Sequence, residues 1–180
     1  FAKGQGGVTV SGGEPLLQAD FLRQLFQELQ RLKVHKAIDT SGFADVEKVE
    51  ELLRYTDLIL FSIKHTDPLK HRLLTEHYNY KPLRLARYLT KIAMPVWIRY
   101  VLLPSLTDSP EDLTALAELI NTMPNVRRLE ILPYHDLGVK KWTDLGLTYQ
   151  LSEISPPTEE QTSRAKDFLR TLIRPDIYLT

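Results

Sequence analysis

The sequence predicts an α/β fold built on a parallel β-sheet, in the form of a partial (β/α) barrel. Short β-branched or apolar segments alternate five times with amphipathic helical segments. No hairpin signal such as Asn-Gly separates successive strands, so helical crossovers must connect them in right-handed βαβ units. Each unit spans roughly 25 to 40 residues, which suits a barrel or part of one. The length of 180 residues predicts a single domain over residues 1–180.

The first half of the chain supplies three strand and helix pairs. Strands are predicted at residues 8–10, 36–40 and 58–64. The strand at 58–64 is so continuously apolar that we expect it to be covered on both faces. Apolar residues at helical spacing predict helices over residues 21–32, with Asp20 as the N-cap, and over residues 46–53.

The second half continues the alternation after a looser segment at residues 65–80 that contains one short helix. Strands are predicted at residues 95–103, 128–132 and 177–179, and helices at 83–92, 110–120 and 158–172. Ser109 followed by Pro110, and Thr158 followed by Gln161, are helix-start patterns. Arg99 lies among apolar neighbours in its strand, so we expect it to have a charged partner. Residues 136–157 are expected to form a loop.

Composition excludes several classes of function. The 23 basic residues balance the 23 acidic ones, which argues against binding to nucleic acid or to a membrane surface. No apolar run approaches the roughly 18 residues of a transmembrane helix and no leader suggests export, so we expect a cytoplasmic location. The absence of cysteine removes disulfides, thiol nucleophiles and thiolate metal ligands.

Three histidines, His65, His71 and His77, recur every six residues. Metal-binding histidines on one helix face need a spacing of three or four residues, so no metal site is predicted here. We expect these histidines to be surface residues. No arrangement of serine, histidine and aspartate carries a nucleophile-elbow sequence, and no catalytic residue is assigned.

The first predicted strand ends in the turn Ser11-Gly12-Gly13-Glu14-Pro15. Gly12 and Gly13 let the main chain approach a ligand closely, and Glu14 adds a hydrogen-bond acceptor. Taken alone, this motif could be only a turn from strand to helix. Each later strand also ends in polar residues, which are Asp39, Thr40, Ser62, Lys64, Arg99 and His135. Because parallel strands end at one rim, these groups predict a site for an amino acid or a nucleoside that carries one.

Five segments in this order and spacing resemble a known family. They are GGVTVSGGEP, KAIDTSGF, LILFSIKH, PVWIRYVLLP and LEILPYHDLGVKKW. The sequence is similar to the glycyl-radical enzyme activating enzymes of the radical SAM superfamily, from Gly6 to the last helix. The resemblance implies a partial parallel barrel that binds S-adenosylmethionine at a [4Fe–4S] cluster. Such an oxidoreductase cleaves S-adenosylmethionine to a 5′-deoxyadenosyl radical, which abstracts hydrogen from a glycine of an anaerobic partner such as pyruvate formate-lyase.

The resemblance also implies roles for individual residues. Gly12, Gly13 and Glu14 would hold the methionyl ammonium, and Asp39 with Thr40 would lie near the methionyl carboxylate and an associated cation. Further contacts to the cofactor would come from Lys64, Arg99 and His135. The region that meets the partner's glycine loop would contain Lys140, Lys141 and Trp142.

The chain departs from the family pattern at two points. The family holds its cluster with a Cys-x3-Cys-x2-Cys loop, and this chain has no cysteine. We therefore expect a fragment that begins after the first βα unit, lacks on the order of 50 to 70 residues at one to two units of the repeat estimated above, and is inactive by itself. Ser62 stands where the family usually has aspartate, which would remove a charge from the cation site.

Two alternatives remain open on the sequence alone. The partner could be another glycyl-radical enzyme, such as an anaerobic ribonucleotide reductase or a diol dehydratase. The chain could instead be a cysteine-free paralogue that only binds a nucleotide or a protein. Loss of the first strand would also expose a sheet edge beside Val8 to Val10, and we expect self-association through that edge.

Overall fold

The computed structural model describes residues 6–180, so the first five residues of the predicted domain lie outside the described part. The strands form one open six-stranded sheet in the order β1-β2-β3-β4-β5-β6, and every neighbouring pair is parallel. The strands are β1 Gly7–Val10, β2 His35–Thr40, β3 Leu58–Ile63, β4 Val96–Leu102, β5 Val126–Pro133 and β6 Tyr178–Leu179. This architecture confirms the predicted α/β fold with a parallel sheet.

Helices connect the strands as the pattern of crossovers requires. They are α1 Ala19–Arg31, α2 Val46–Leu53, α3 Pro68–Thr75, α4 Tyr80–Lys91, α5 Pro110–Asn121, α6 Val139–Asp144 and α7 Glu159–Leu172. Ser109 caps α5, and Thr158 with Gln161 forms the capping box of α7, both as predicted. Among residues 6–180 there is no helix with the length and apolar character needed to cross a membrane.

The two faces of the sheet differ in cover. One face packs under the helices and carries fully buried residues such as Ile38, Phe61, Ile98 and Leu129. Along β3, buried residues alternate with half-buried ones, so the expectation that this strand is covered on both faces is wrong. Its half-buried residues belong to the opposite, concave face of the sheet. That concave face carries the polar side chains considered below.

Two local predictions need correction. Asp20 does not cap the first helix, because a single turn of 3₁₀ helix at Pro15–Gln18 precedes α1 and Gln18 takes the N-cap position. Glu14 caps the 3₁₀ turn instead by accepting a hydrogen bond from the Leu16 N–H. The region 136–157, predicted as a loop, contains the short helix α6.

Candidate functional site

A cavity of about 470 Å³ opens at the carboxyl ends of the first strands. Seven of the eight predicted cofactor contacts line it, namely Gly12, Gly13, Glu14, Asp39, Thr40, Lys64 and Arg99. Ser62 also lies in its wall. These residues lie at the ends of β1, β2 and β3 and in the middle of β4, so the prediction that Arg99 ends its strand is wrong. Gly12 and Arg99 are 87 residues apart in the chain. The common rim of a parallel sheet therefore brings them together, as the alternation predicted.

Glu14 is fixed by the protein itself. Its Oε1 accepts hydrogen bonds from the Leu16 N–H at 3.1 Å and the Thr40 hydroxyl at 2.6 Å. Its Oε2 accepts from the Ser41 N–H at 2.9 Å and the Ser41 hydroxyl at 2.6 Å. A carboxylate offers about four lone-pair positions, and all of them are used here. Glu14 thus ties the turn after β1 to the end of β2.

Thr40 belongs to the same tie and is 2% exposed. Its hydroxyl donates to Glu14 and accepts from the Gly42 N–H at 2.8 Å. Gly42 has a φ of +76°, and a Cβ there would lie 2.3 Å from the Phe61 ring. Glycine is therefore required at 42 both by backbone conformation and by the packing of the loop onto β3.

The two glycines of the first turn face open space. Gly12 has a φ of +143°, which side chains rarely adopt, whereas Gly13 does not have a positive φ. A Cβ placed on either residue meets no atom within 4 Å. The fold of the protein alone therefore does not require glycine at 13, and the missing side chain leaves room on the cavity side of the turn.

Arg99 has the charged partners that its apolar surroundings predicted. Its Nη1 lies 2.6 Å from Asp39 Oδ2, and its Nε lies 3.2 Å from Glu130 Oε2. Glu130 also pairs through Oε1 with Arg128 Nε at 3.1 Å, and the Arg128 guanidinium lies 4.8 Å from the Trp97 ring centroid. Alternating charges thus cross the concave face from β2 to β5. This chain of contacts neutralises Asp39 and fixes the direction of the Arg99 side chain.

Lys64 differs from the other charged groups of the cavity. Within residues 6–180 its ammonium forms no ion pair or hydrogen bond. The residue as a whole is exposed, yet the cavity walls displace water around it and thereby lower the pKa of Lys64. The negative charge of Asp39 opposes that shift and the positive charge of Arg99 adds to it. A cation without a protein partner suits the carboxylate of a small ligand.

The far wall of the cavity contains residues that the sequence did not assign to a site. They are Phe43, His71, Thr75, His77 and Pro82. The expectation that the three regularly spaced histidines are surface residues is wrong for His65 and His71, which are 1% and 5% exposed. His77 is exposed, and its ring stacks on Phe43 with centroids 4.7 Å apart. Of the three histidines, only His71 lies on α3, because His65 precedes the helix and His77 follows its end at Thr75. The spacing of six residues therefore does not correspond to one helix face.

His135 and the predicted partner-binding residues do not line this cavity. Trp142 lies on α6 and is 40% exposed, and its ring meets Tyr149 edge-on at 5.7 Å. Lys140 and Lys141 are exposed on the same short helix. Their roles therefore stay predictions.

The side chains present cannot hold an iron-sulfur cluster. The sequence has no cysteine, and residues 6–180 contain no group of three or more histidine, aspartate or glutamate side chains arranged to hold a metal ion. The cavity does fit an amino-acid head group, because the Lys64 cation, unpaired among residues 6–180, and the open turn at Gly13 line the same space.

Comparisons with known proteins agree with this architecture. The family model for the radical SAM superfamily matches residues 1–120. Pyruvate formate-lyase-activating enzyme of Staphylococcus epidermidis is 50% identical over 171 residues, which cover 92% of this chain and 68% of that protein. The enzyme of the same name from Listeria monocytogenes is 46% identical over 172 residues, covering 92% of this chain and 69% of that protein.

Solved structures show the same fold. A domain of pyruvate-formate lyase-activating enzyme from Bacteroides vulgatus superposes with a TM-score of 0.77 at 25% identity, covering 97% of this chain and 99% of that chain. Streptococcus suis SuiB bound to S-adenosylmethionine superposes with a TM-score of 0.72 at 18% identity, over 97% of this chain and 39% of that chain. The second likeness concerns the fold alone.

The matched residues, the parallel sheet and the cavity at its carboxyl rim place the chain in a class of enzymes, the radical SAM superfamily. Within that superfamily, the chain belongs to the family of pyruvate formate-lyase-activating enzymes.

Proposed function

We propose that this chain is the S-adenosylmethionine-binding and partner-facing part of an enzyme that generates a glycyl radical on a partner such as pyruvate formate-lyase. The names of its relatives support the reaction. The observation that carries the proposal is the cavity in which the Lys64 cation has no partner among residues 6–180. When bound and reductively cleaved, S-adenosylmethionine supplies the carbon radical that takes a hydrogen atom from the partner's glycine.

Each residue of the cavity has a proposed part in holding that cofactor. Lys64 binds the methionyl carboxylate as a charge-assisted hydrogen-bond donor. The main chain at Gly12 and Gly13 approaches the methionyl ammonium, and Glu14 acts by fixing that turn. Arg99, held by its Nη1 hydrogen bond to Asp39, presents N–H groups that the carboxylates leave free to the ligand.

The partner-facing residues are proposed on the resemblance and on their exposure. His135 would be a further contact to the cofactor, while Lys140, Lys141 and Trp142 would meet the glycine loop of the partner. Exposed apolar side chains flank Trp142 on this segment, with Leu137 80% and Leu145 73% exposed. Exposed apolar side chains that lie close together mark a surface for binding another protein, because burying them stabilises the complex.

The chain by itself is proposed to be inactive. Reductive cleavage needs a cluster, and this chain contains no cysteine to hold one. Binding of S-adenosylmethionine to the chain alone should also be weak, because the iron that would chelate the methionyl amine and carboxylate is missing. Micromolar affinity in a calorimetric titration would contradict this part of the proposal.

The decisive experiment is Lys64→Ala in the protein that carries both this chain and a three-cysteine loop. We expect the formation of 5′-deoxyadenosine to fall at least tenfold, about 1.4 kcal/mol, because the carboxylate loses its charged donor. Lys48→Ala is the matched control, since Lys48 is an exposed lysine on α2 outside the cavity. Unchanged product formation in Lys64→Ala would remove Lys64 from the site.

Two alternatives can be separated cheaply. An activating enzyme for an anaerobic ribonucleotide reductase or a diol dehydratase would use the same cavity and differ only in which partner becomes radical-bearing. A cysteine-free binding paralogue would encode no three-cysteine loop upstream of this chain. Reading the gene upstream of Phe1 therefore tests the catalytic proposal, which fails if that loop is absent.

Self-association is proposed from the edge of the sheet. Among the described strands, β1 pairs only with β2, so its other edge offers unpaired main-chain groups. We expect the mass measured by light scattering to rise with protein concentration. A constant monomer mass at high concentration would contradict this proposal.

A further inference from the structure

His71 lies in the wall of the cavity but takes no part in the proposed function so far. It belongs to α3, is 5% exposed, and shares the cavity with Lys64 and Arg99. Its ring Nδ1 lies 2.7 Å from the main-chain oxygen of His77 and 3.0 Å from the hydroxyl oxygen of Thr75. A buried imidazole with one nitrogen engaged raises the question of what its other nitrogen binds.

The contacts fix which nitrogen carries the proton. The carbonyl oxygen of His77 can only accept, so Nδ1 must be the donor. The Thr75 hydroxyl donates to the main-chain oxygen of His71 at 2.8 Å, which leaves its own lone pairs free to accept from the same Nδ1–H. In the neutral ring, Nε2 is therefore an unprotonated acceptor.

Nε2 has no hydrogen-bond partner in the part of the chain that the structure describes. Among residues 6–180 no donor reaches it, and it is not one of the nitrogen atoms sealed from solvent. Since the rest of the residue is buried, the opening at Nε2 faces the cavity that His71 lines. An open acceptor in the wall of a cavity is a position where a ligand N–H can donate.

Two carboxylates that line the cavity are already engaged by the protein. Glu14 accepts four hydrogen bonds from its neighbours, and Asp39 is bound by Arg99 at 2.6 Å. Phe43 and Pro82 add apolar surface to the wall near His71, which strengthens a hydrogen bond by excluding water. Nε2 of the buried His71 is thus an acceptor available to a group that donates an N–H.

We propose that His71 Nε2 is a binding position for an amine or amide N–H of the ligand held in this cavity. This inference rests on the proposed function for the identity of the ligand, because that function offers two sources of an N–H donor. One is an amine of S-adenosylmethionine, and the other is the main-chain amide of a peptide from the partner.

The first test concerns the free chain. Long-range proton–nitrogen correlation spectra of the nitrogen-15-labelled chain should show His71 with its proton on Nδ1. Exposed His35, at the start of β2 and outside the cavity, is the internal control and should report an ordinary mixture of tautomers. A His71 ring protonated on Nε2 alone would overturn the proposal.

The second test adds the probes in separate titrations at millimolar concentration, where weak binding is visible. A shift of the His71 Nε2 resonance with S-adenosylmethionine assigns the donor to the cofactor, and a shift with a short glycine-centred peptide assigns it to the partner. No shift with either probe overturns the proposal. If the Lys64 side chain responds to S-adenosylmethionine while His71 does not, the proposed function stands and only this inference fails.

A variant separates binding from folding. His71→Asn keeps a donor near the position of Nδ1 but removes the acceptor at Nε2, so affinity for the responding probe should fall roughly three- to tenfold. Leu73→Ala is the control on the same helix, because Leu73 is 75% exposed and outside the cavity. Equal affinity in wild type and His71→Asn would overturn the proposal, and the spectra of the wild type decide it if the variant does not fold.

Discussion

Replacing Glu14 tests whether the turn after β1 is held in place by the protein itself or becomes ordered only when a ligand binds. In Glu14→Ala, four hydrogen bonds to the carboxylate are lost, two of them from main-chain N–H groups. A hydrogen bond to a charged group contributes about 1.5–3 kcal/mol, but Glu14 is half-buried and water replaces part of the loss. We therefore expect the free energy of unfolding to fall by about 2–4 kcal/mol.

Glu14→Gln refines the expectation. The amide oxygen can still accept from Leu16 and Thr40, whereas the amide nitrogen cannot accept from the Ser41 N–H. One main-chain donor is then left without its acceptor, which costs about 1–2 kcal/mol. The two variants should therefore fall in the order wild type, Gln, Ala.

Urea unfolding followed by far-ultraviolet circular dichroism measures these differences, with the slope against urea unchanged if the unfolded states are alike. Glu28→Ala is the control, because Glu28 pairs with Arg31 on the exposed surface of α1 and its loss should cost within about 0.5 kcal/mol. If Glu14→Ala costs no more than Glu28→Ala, Glu14 is not the tie between the two strand ends.

Three further predictions follow from the same structure. Gly42→Ala should destabilise the fold by at least ~3 kcal/mol in urea unfolding, because its Cβ would lie 2.3 Å from the Phe61 ring, whereas Gly138→Ala has no atom within 4 Å and should be neutral. Burial lowers the pKa of His65, so the unfolded state binds a proton at higher pH than the folded state does, and the free energy of unfolding should fall as the pH drops below 6.5. His65→Gln should make the free energy of unfolding depend less steeply on pH. An unchanged slope in His65→Gln would refute this prediction. Displacement of water by the cavity walls lowers the pKa of Lys64, so the folded state loses that proton at lower pH than the unfolded state does. Lys64→Met should therefore raise the midpoint of thermal unfolding at neutral pH while weakening ligand binding. A lowered midpoint would count against the desolvation of Lys64 by the cavity walls.

The order of strands and helices along the chain could be predicted from local sequence patterns. Helical spacing and β-branched runs predicted the strands and helices, and the two helix-start motifs at Ser109 and Thr158 gave the correct caps. The wrong assignments have local causes. Pro15 starts a 3₁₀ turn before α1, which moves the cap away from Asp20, and the continuous apolar run of β3 concealed a face that is only half-buried.

The site was predicted in part. Seven of the eight proposed cofactor contacts line one cavity because parallel strands end at one rim, although contact with a cofactor stays a prediction for each of them. His71 was missed, since its burial depends on the loop from α3 to His77 and no spacing in the sequence reports it. The partners of Arg99 were equally hidden, because Asp39 is 60 residues away and Glu130 is on the next strand.

The sequence by itself determined the parallel α/β fold, the family and the set of polar residues at the strand ends. Those features depend on short-range periodicity and on motifs that are contiguous in the chain. Only the tertiary structure decided which polar groups are already paired, such as Glu14 and Asp39. It also decided which have no partner within the described residues 6–180, such as Lys64 and Nε2 of His71. Hydrogen-bond partners depend on the register between strands and on the course of the loops, and these arise from packing of the whole chain.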